Sequence, residues 1–304
     1  MNANSILVEK INKLKKEKNA IILAHCYQNP EIDLVADYVG DSLYLSQMAA
    51  RTNADIIVFA GVYFMAETAK ILSPNKKVLL PNLEAGCLMA DMVNLQQIKE
   101  FKAKNPNIPV VCYVNSTAAV KSECDICCTS ANAVKVVESL KSDKVLFVPD
   151  KNLGSYTQSK LKDVEVICYD GCCPIHNNLT VKDIIDKKEK YPNAKVLVHP
   201  ECRKDLTNIA DFVGSTTGIM KYVKESNDNE FIIVTEIGVT QRLQRDYPNK
   251  RFINISEKAV CKSMKCTKLE DIYNSLLQEK NEILVSDELI KLAYKPIEKM
   301  INVF

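Results

Sequence analysis

The chain repeats itself. Three apolar runs, Asn19-Ala-Ile-Ile-Leu-Ala-His25, Asn107-Ile-Pro-Val-Val-Cys-Tyr113 and Asn193-Ala-Lys-Val-Leu-Val-His199, start 88 and 86 residues apart. The triplets Gly40-Asp41-Ser42, Cys128-Thr129-Ser130 and Gly214-Ser215-Thr216 follow at the same two offsets. Strand-like segments come next, Asp55–Phe59, Lys144–Val148 and Phe231–Val234. Each copy closes on a further apolar segment that ends at a cysteine, and those cysteines, Cys87, Cys173 and Cys261, are 86 and 88 residues apart. Identity between copies is low, but the order of elements and the spacing persist. A triplicated unit packs its copies side by side and brings equivalent positions to a common centre. The three cysteines are therefore expected to converge, and converging thiolates make a metal or iron–sulfur site.

Within a copy, short β-rich runs alternate with amphipathic stretches. In the first, Ile21–His25 reads as a strand, Glu31–Val39 as a helix with Leu34, Val35 and Tyr38 on one face, and Leu43–Arg51 as a second helix. Asp55–Phe59 is a strand, Phe64–Leu72 a helix stopped by Ser73-Pro74, and Lys77–Leu80 a strand. This alternation predicts an α/β fold of three pseudo-threefold-related αβα sandwich domains, each with a small, mostly parallel sheet, around a central active site. The expected boundaries are 1–86, 87–172 and 173–285, with the C-terminal helix 286–304 packing on the first unit. Ser5–Lys18 predicts an N-terminal helix, Ser286 caps the last one, and Pro296 is expected to kink or divide it.

Net charge is +2, from 40 basic and 38 acidic residues, so nothing electrostatic argues for nucleic acid or a membrane surface. No apolar run approaches the ~20 residues a membrane span needs. The charged N-terminus reads as a helix rather than a signal peptide, and cytoplasm is the expected compartment. Twelve cysteines in such a chain point to burial, metal binding or catalysis rather than disulfides.

Polar residues fall in register where α/β proteins bind ligands, at strand ends and the helix starts that follow. After the first strand of each copy come His25-x-Tyr27, Tyr113-x-Asn115 and His199-x-Glu201; alternate residues of an extended segment face one side. Ser42, Ser130 and Thr216 form a second set, read as N-caps whose helix ends can also receive anions. Only five arginines are present, two of them in Arg242-x-x-Arg245, so an anionic substrate would rest on hydroxyls, histidines and helix ends. Cys124-x-x-Cys127-Cys128 resembles half a zinc motif, but its members align with Ala36, Val39 and Gly40, and with Ala210, Val213 and Gly214. These are read as small or buried helix positions, where cysteine acts as a small hydrophobe. Cys26, Cys112, Cys168, Cys202 and Cys266 have no partner in register, and of the adjacent pair only Cys173, not Cys172, is in phase. Three thiolates plus His176 would make a closed Cys3His zinc site; three thiolates alone would hold an iron–sulfur cluster with one iron open. Residue type leaves both possible, and with them a zinc-stabilised scaffold or an iron–sulfur redox sensor.

The motifs Ala24-His-Cys-Tyr-Gln28, Val39-Gly-Asp-Ser-Leu43, Phe64-Met-Ala-Glu-Thr-Ala-Lys70, Ala85-Gly-Cys-Leu-Met-Ala-Asp-Met92, Cys128-Thr-Ser-Ala-Asn132, Gly171-Cys-Cys-Pro-Ile-His176, His199-Pro-Glu201 and Cys261-Lys-Ser-Met-Lys265 together resemble the quinolinate synthases of NAD biosynthesis, over essentially the whole chain. The resemblance implies a [4Fe–4S] cluster held by Cys87, Cys173 and Cys261, with one iron free as a Lewis acid. It implies condensation of iminoaspartate with dihydroxyacetone phosphate to quinolinate, with loss of phosphate and two waters, and a functional link to an enzyme that makes iminoaspartate. By motif, His25, Ser42, Tyr113, Asn115, Ser130, His199, Glu201 and Thr216 would contact substrate, and Tyr27, Glu201 and His25 are the catalytic candidates. Some members carry Cys-x-x-Cys-x-x-Cys near the last ligand; here Cys261 is followed by Ser263, Met264 and Cys266, so thiol–disulfide regulation at that point is not expected.

Overall fold

A computed structural model describes residues 3–303; positions 1–2 and 304 of the expected first unit and last helix lie outside the described residues. It holds three four-stranded sheets, and the pairings are parallel throughout. The first contains β1 (Ala20–His25), β2 (Tyr38–Gly40), β3 (Ile56–Ala60) and β4 (Lys77–Leu79). The second contains β5 (Val110–Tyr113), β6 (Ile126–Cys128), β7 (Lys144–Val148) and β8 (Glu165–Cys168). The third contains β9 (Lys195–Val198), β10 (Phe212–Val213), β11 (Glu230–Val234) and β12 (Arg251–Asn254). In each sheet the spatial order is second, first, third, fourth. The winding reverses between the first and third strands, and the crevice at their carboxyl ends is where such sheets bind ligands.

The central strands are buried on both faces, as parallel sheets covered by helices require. Ile56–Ala60 is buried at every position, and Phe59, Phe147 and Phe231 on the three third strands are at most 2% exposed. Burying each such ring contributes about 1.5–3 kcal/mol. The repeat extends to single hydrogen bonds. Asp37, Asp125 and Asp211 each accept the amide of a first-strand residue (Ile22, Val110 and Val196), all at 2.8 Å, which holds the edge strand in register.

Local corrections follow from that pairing. Glu31–Val39 is not a helix: Pro30–Leu34 is a single 3-10 turn, and the chain then extends into β2. Asp37 ties this stretch to β1, so the apolar spacing that mimics a helix face belongs to a turn and an edge strand; Leu34 is 62% exposed. Cys127 and Cys128 likewise lie on β6, and Cys124 in the turn before it. Their register with Val39 and Val213 is as read, but the element is a strand, not a helix. The helix Asp287–Asn302 starts at its Ser286 cap and is not divided by Pro296.

The three units close head to tail. On the first, the helix Tyr63–Leu72 sends Glu67 Oε2 to accept the Ala118 amide of the second at 3.0 Å. On the second, the helix Lys151–Lys160 sends Asn152 Nδ2 to donate to the Glu201 carbonyl of the third, also at 3.0 Å. On the third, the helix Ile237–Asp246 brings Gly238 against the loop that carries Tyr27. A Cβ there would lie 2.9 Å from Tyr27 Cα and 3.1 Å from the Cys26 carbonyl oxygen. The same helix pairs Arg242 and Arg245 with Asp33, which accounts for the arginine pair as a seam rather than an anion site. Gly238→Ala is expected to cost about 1–3 kcal/mol through overpacking at this seam; an unchanged urea midpoint would show that the loop yields freely.

One of the chain's last two long helices returns to the first sheet, and the other lies between the first and second units. The helix Leu269–Gln278 packs with the N-terminal helix Ala3–Glu17, and its Leu269, Ile272 and Leu276 share a core with Ile11, Ile22 and Val58. The helix Asp287–Asn302 lies against Tyr63–Leu72, Ala118–Ser122 and β6, and its Met300 carbonyl accepts from Asn132 Nδ2 at 3.0 Å. No helix among the described residues is long and apolar enough to cross a membrane.

Candidate active site

At the carboxyl ends of the three sheets lies one cavity of about 340 Å³. His25, Tyr27, Ser42, Cys87, Tyr113, Asn115, Ser130, Cys173, His199, Glu201, Thr216 and Cys261 all line it. The other nine cysteines do not, Cys172 included.

The cysteine loops are built alike. Two residues before each cysteine, a carbonyl accepts the first amide of the helix that follows the third strand. Tyr63 donates to Ala85 at 2.7 Å, Lys151 to Gly171 at 2.8 Å and Ile237 to Ala259 at 2.9 Å. Burial pushes all three thiols up, Cys87 to about 12; amides just downstream (Ala90, His176 and Met264) pull against that rise. The charges add to it, since Cys87 feels Cys261 and Cys173 feels Glu201 and Cys87. Thiols that resist ionisation alone and would repel one another as thiolates are what a cation-bearing group at their centre stabilises.

The His-x-Tyr and His-x-Glu turns set their own tautomers. His25 Nδ1 accepts the Tyr27 amide at 3.1 Å, and His199 Nδ1 accepts the Glu201 amide at 3.3 Å. That leaves Nε2 carrying the proton, as a donor. Burial drives both imidazoles down to about 3, against the pull of Glu201, so they are neutral near pH 7.

Ser42 and Thr216 are not the caps of their helices. Asp41 caps Ser42–Arg51, accepting from Tyr44 N, and Ser215 caps Thr216–Glu225, accepting from Gly218 N. Ser130 stands two residues before Asn132, the N-cap residue of Ala133–Ser139. At Ser42 and Thr216 the preceding residue does the capping, so those hydroxyls are left to the cavity; Ser130, ahead of an N-cap residue that makes no side-chain cap bond, lines it too. Sequence alone cannot separate adjacent good cappers such as Asp41 and Ser42.

A continuous hydrogen-bonded chain joins the two acid–base candidates. Glu201 Oε2 lies 2.7 Å from His176 Nδ1, His176 Nε2 lies 2.8 Å from Thr235 Oγ1, and Thr235 Oγ1 lies 3.0 Å from the Tyr27 hydroxyl. Thr216 Oγ1 sits 3.4 Å from the same hydroxyl. The Tyr113 hydroxyl donates to the other Glu201 oxygen. Burial works against ionisation of Glu201, but His176, His199 and the Tyr113 hydroxyl overcome it and hold the carboxyl below its ordinary value. Burial and then the Glu201 charge raise Tyr27 well above 10, so it keeps its proton. Thr235 was not legible from the repeat: Pro149 stands at the equivalent position in the second copy and Gly61 in the first. In the sequence His176 is legible as a fourth zinc ligand and as the end of the Gly171–His176 motif, not as a link between Glu201 and Thr235.

The donor set fits a thiolate-bound group. Donor atoms of Cys173, His176 and Glu201 lie within 4.8 Å of one another and could also hold an ion. His176 Nδ1 lies 3.2 Å from Cys173 Sγ as well as 2.7 Å from Glu201 Oε2, and its Nε2 faces Thr235, so completing a Cys3His site would require Nδ1 to give up Glu201. The Asn115 side-chain oxygen is buried without a partner, on a residue that lines the cavity.

A family model described as Quinolinate synthetase A protein matches residues 9–302. The chain is 53% identical over 299 residues to quinolinate synthase of Alkaliphilus metalliredigens, covering 98% of each. It is 51% identical over 298 residues to that of Dehalococcoides mccartyi, again covering 98% of each, and 48% identical over 294 residues to that of Clostridioides difficile, covering 97% of each. Matches of this length and identity leave one assignment for a triplicated chain with this cavity: it belongs to the quinolinate synthase family.

Proposed function

We propose that this chain condenses iminoaspartate with dihydroxyacetone phosphate to quinolinate, releasing phosphate and two waters, as an enzyme of NAD biosynthesis. The observation that carries the reading is one cavity lined by three thiols, one from each repeat, and by the full in-register polar set. Cys87, Cys173 and Cys261 would hold a [4Fe–4S] cluster. Bound there, the cluster would supply an iron without a protein ligand, a Lewis acid toward substrate oxygen.

The chain's own groups divide the remaining work. Ser42, Ser130 and Thr216 donate to the carboxylates and phosphate of the substrates. The neutral imidazoles of His25 and His199 donate through Nε2 without adding charge. Asn115 accepts an N–H or O–H of substrate, which would satisfy its orphaned oxygen. Tyr27, protonated and at one end of the Thr235–His176–Glu201 chain, gives a proton to an oxygen or carbon that becomes basic as bonds change. Glu201, both oxygens engaged, acts through that chain and keeps negative charge at its far end. Iminoaspartate hydrolyses readily, so an aspartate-oxidising enzyme must supply it.

Anaerobic purification tests the reading. A brown protein with about four irons and four sulfides per chain, which forms quinolinate from dihydroxyacetone phosphate and iminoaspartate generated in place, is the expected result. A colourless protein with one zinc would establish the scaffold reading instead, and a cluster without quinolinate the redox-sensor reading.

A further inference from the structure

The three cysteine loops share a backbone plan but differ in one anchor. In the second unit, the fully buried Asp150 caps the helix Lys151–Lys160: Oδ1 accepts the Leu153 amide at 2.7 Å, and Oδ2 accepts the amide of Cys173 at 3.0 Å. In the third unit, Glu236, also fully buried and 86 residues further on, does the same. Its Oε2 accepts the Gly238 amide at 2.6 Å and its Oε1 the amide of Cys261 at 3.2 Å. Each carboxylate thus spends one oxygen on its helix and the other on the backbone of a cavity cysteine. The equivalent residue of the first unit is Val62, which heads the helix Tyr63–Leu72 with no side-chain bond and offers the Cys87 amide no oxygen. The Cys87 loop leans on the second unit instead, where Tyr169 donates to the Met92 carbonyl at 2.8 Å and the Cys172 amide points at Met92 Sδ, 3.3 Å away.

We infer that Asp150 and Glu236 are positioning residues that set Cys173 and Cys261 in place before any metal arrives, whereas the Cys87 amide has no carboxylate anchor of this kind. The inference rests on the reading of these three cysteines as cluster ligands. A buried carboxylate is costly to keep unless its oxygens are used, and here one of the two is used on the cysteine. Groups that orient ligands in this way commonly change metal retention by on the order of 10–100-fold when removed.

The test uses Asp150→Ser and Glu236→Ser, since serine keeps a helix cap but is too short to reach the cysteine amide as well. In the metal-free full-length protein, iodoacetamide labelling is followed site by site by mass spectrometry. Asp150→Ser is expected to speed labelling of Cys173 about tenfold while Cys87 stays at its wild-type rate, and Glu236→Ser to do the same for Cys261 alone. In the loaded protein, both variants are expected to lose visible absorbance to a chelator about tenfold faster, with the thermal midpoint of the metal-free form lowered by only a few degrees, the cost of one orphaned buried amide. Unchanged labelling of the neighbouring cysteine, or a uniform rise at all three cysteines with a far lower midpoint, would overturn the inference. A wild-type protein that takes up no iron sinks the ligand reading instead, and the labelling result still decides the anchoring.

Discussion

Cys87→Ser, Cys173→Ser and Cys261→Ser each yield a protein that folds but purifies without iron and without quinolinate formation. A hydroxyl is a hard, weakly acidic donor, while the cavity's soft-ligand chemistry depends on thiolates. With only three cysteines in the cavity, removing one leaves two. The contrast within the series decides the matter. Cys124→Ala and Cys127→Ala are expected to keep full iron, because Cys127 is buried on β6 opposite Cys112 and Cys124 donates to the Val120 carbonyl at 3.1 Å, away from the cavity. Their cost is in stability, about 1–2 kcal/mol each. Iron and sulfide analysis of the five proteins separates the two groups. Loss of iron from the second group would mean that spacing had picked the wrong thiols.

Tyr27→Phe is expected to keep the cluster and lose turnover by about 10²–10⁴-fold, the range for removal of a positioned proton donor. The ring stays, and with it the edge-on contact to His25 at 4.5 Å between centroids. What goes is the hydroxyl that ends the chain from Glu201 through His176 and Thr235, so the loss falls on proton transfer rather than on binding. Thr235 keeps His176 as a partner, and the stability cost is about 1 kcal/mol. The measurement is kcat at saturating substrate with iron content determined on the same sample. Full activity at full iron would take Tyr27 out of the chemistry and leave it a packing residue.

Much of this architecture can be read from one line of letters because repetition supplies its own alignment. Parallel β/α units follow from the alternation of apolar runs, and the polar sets follow from their offsets. The failures are local and share a cause. Val35 and Tyr38 have helical spacing, yet Asp37 binds the Ile22 amide and draws them alongside β1. Asp41 and Ser42 are both good caps, and only backbone geometry decides that Asp41 caps and Ser42 faces the cavity. His176 was legible as a ligand type, but its partners were not: Glu201 and Thr235 are separated from it by 25 and 59 residues and follow two different strands of the third sheet.

Order along the chain was enough to establish three copies of a parallel β/α unit and the equivalence of Cys87, Cys173 and Cys261, because a period in sequence is a symmetry in space. Which side chains touch across the seams was settled only by folding. The Glu201–His176–Thr235–Tyr27 chain and the carboxylates beneath two of the three cysteines depend on contacts of a few ångströms between distant segments. Such contacts are fixed by close packing of whole units, as at Gly238 against the Tyr27 loop, and short-range preference carries no record of them.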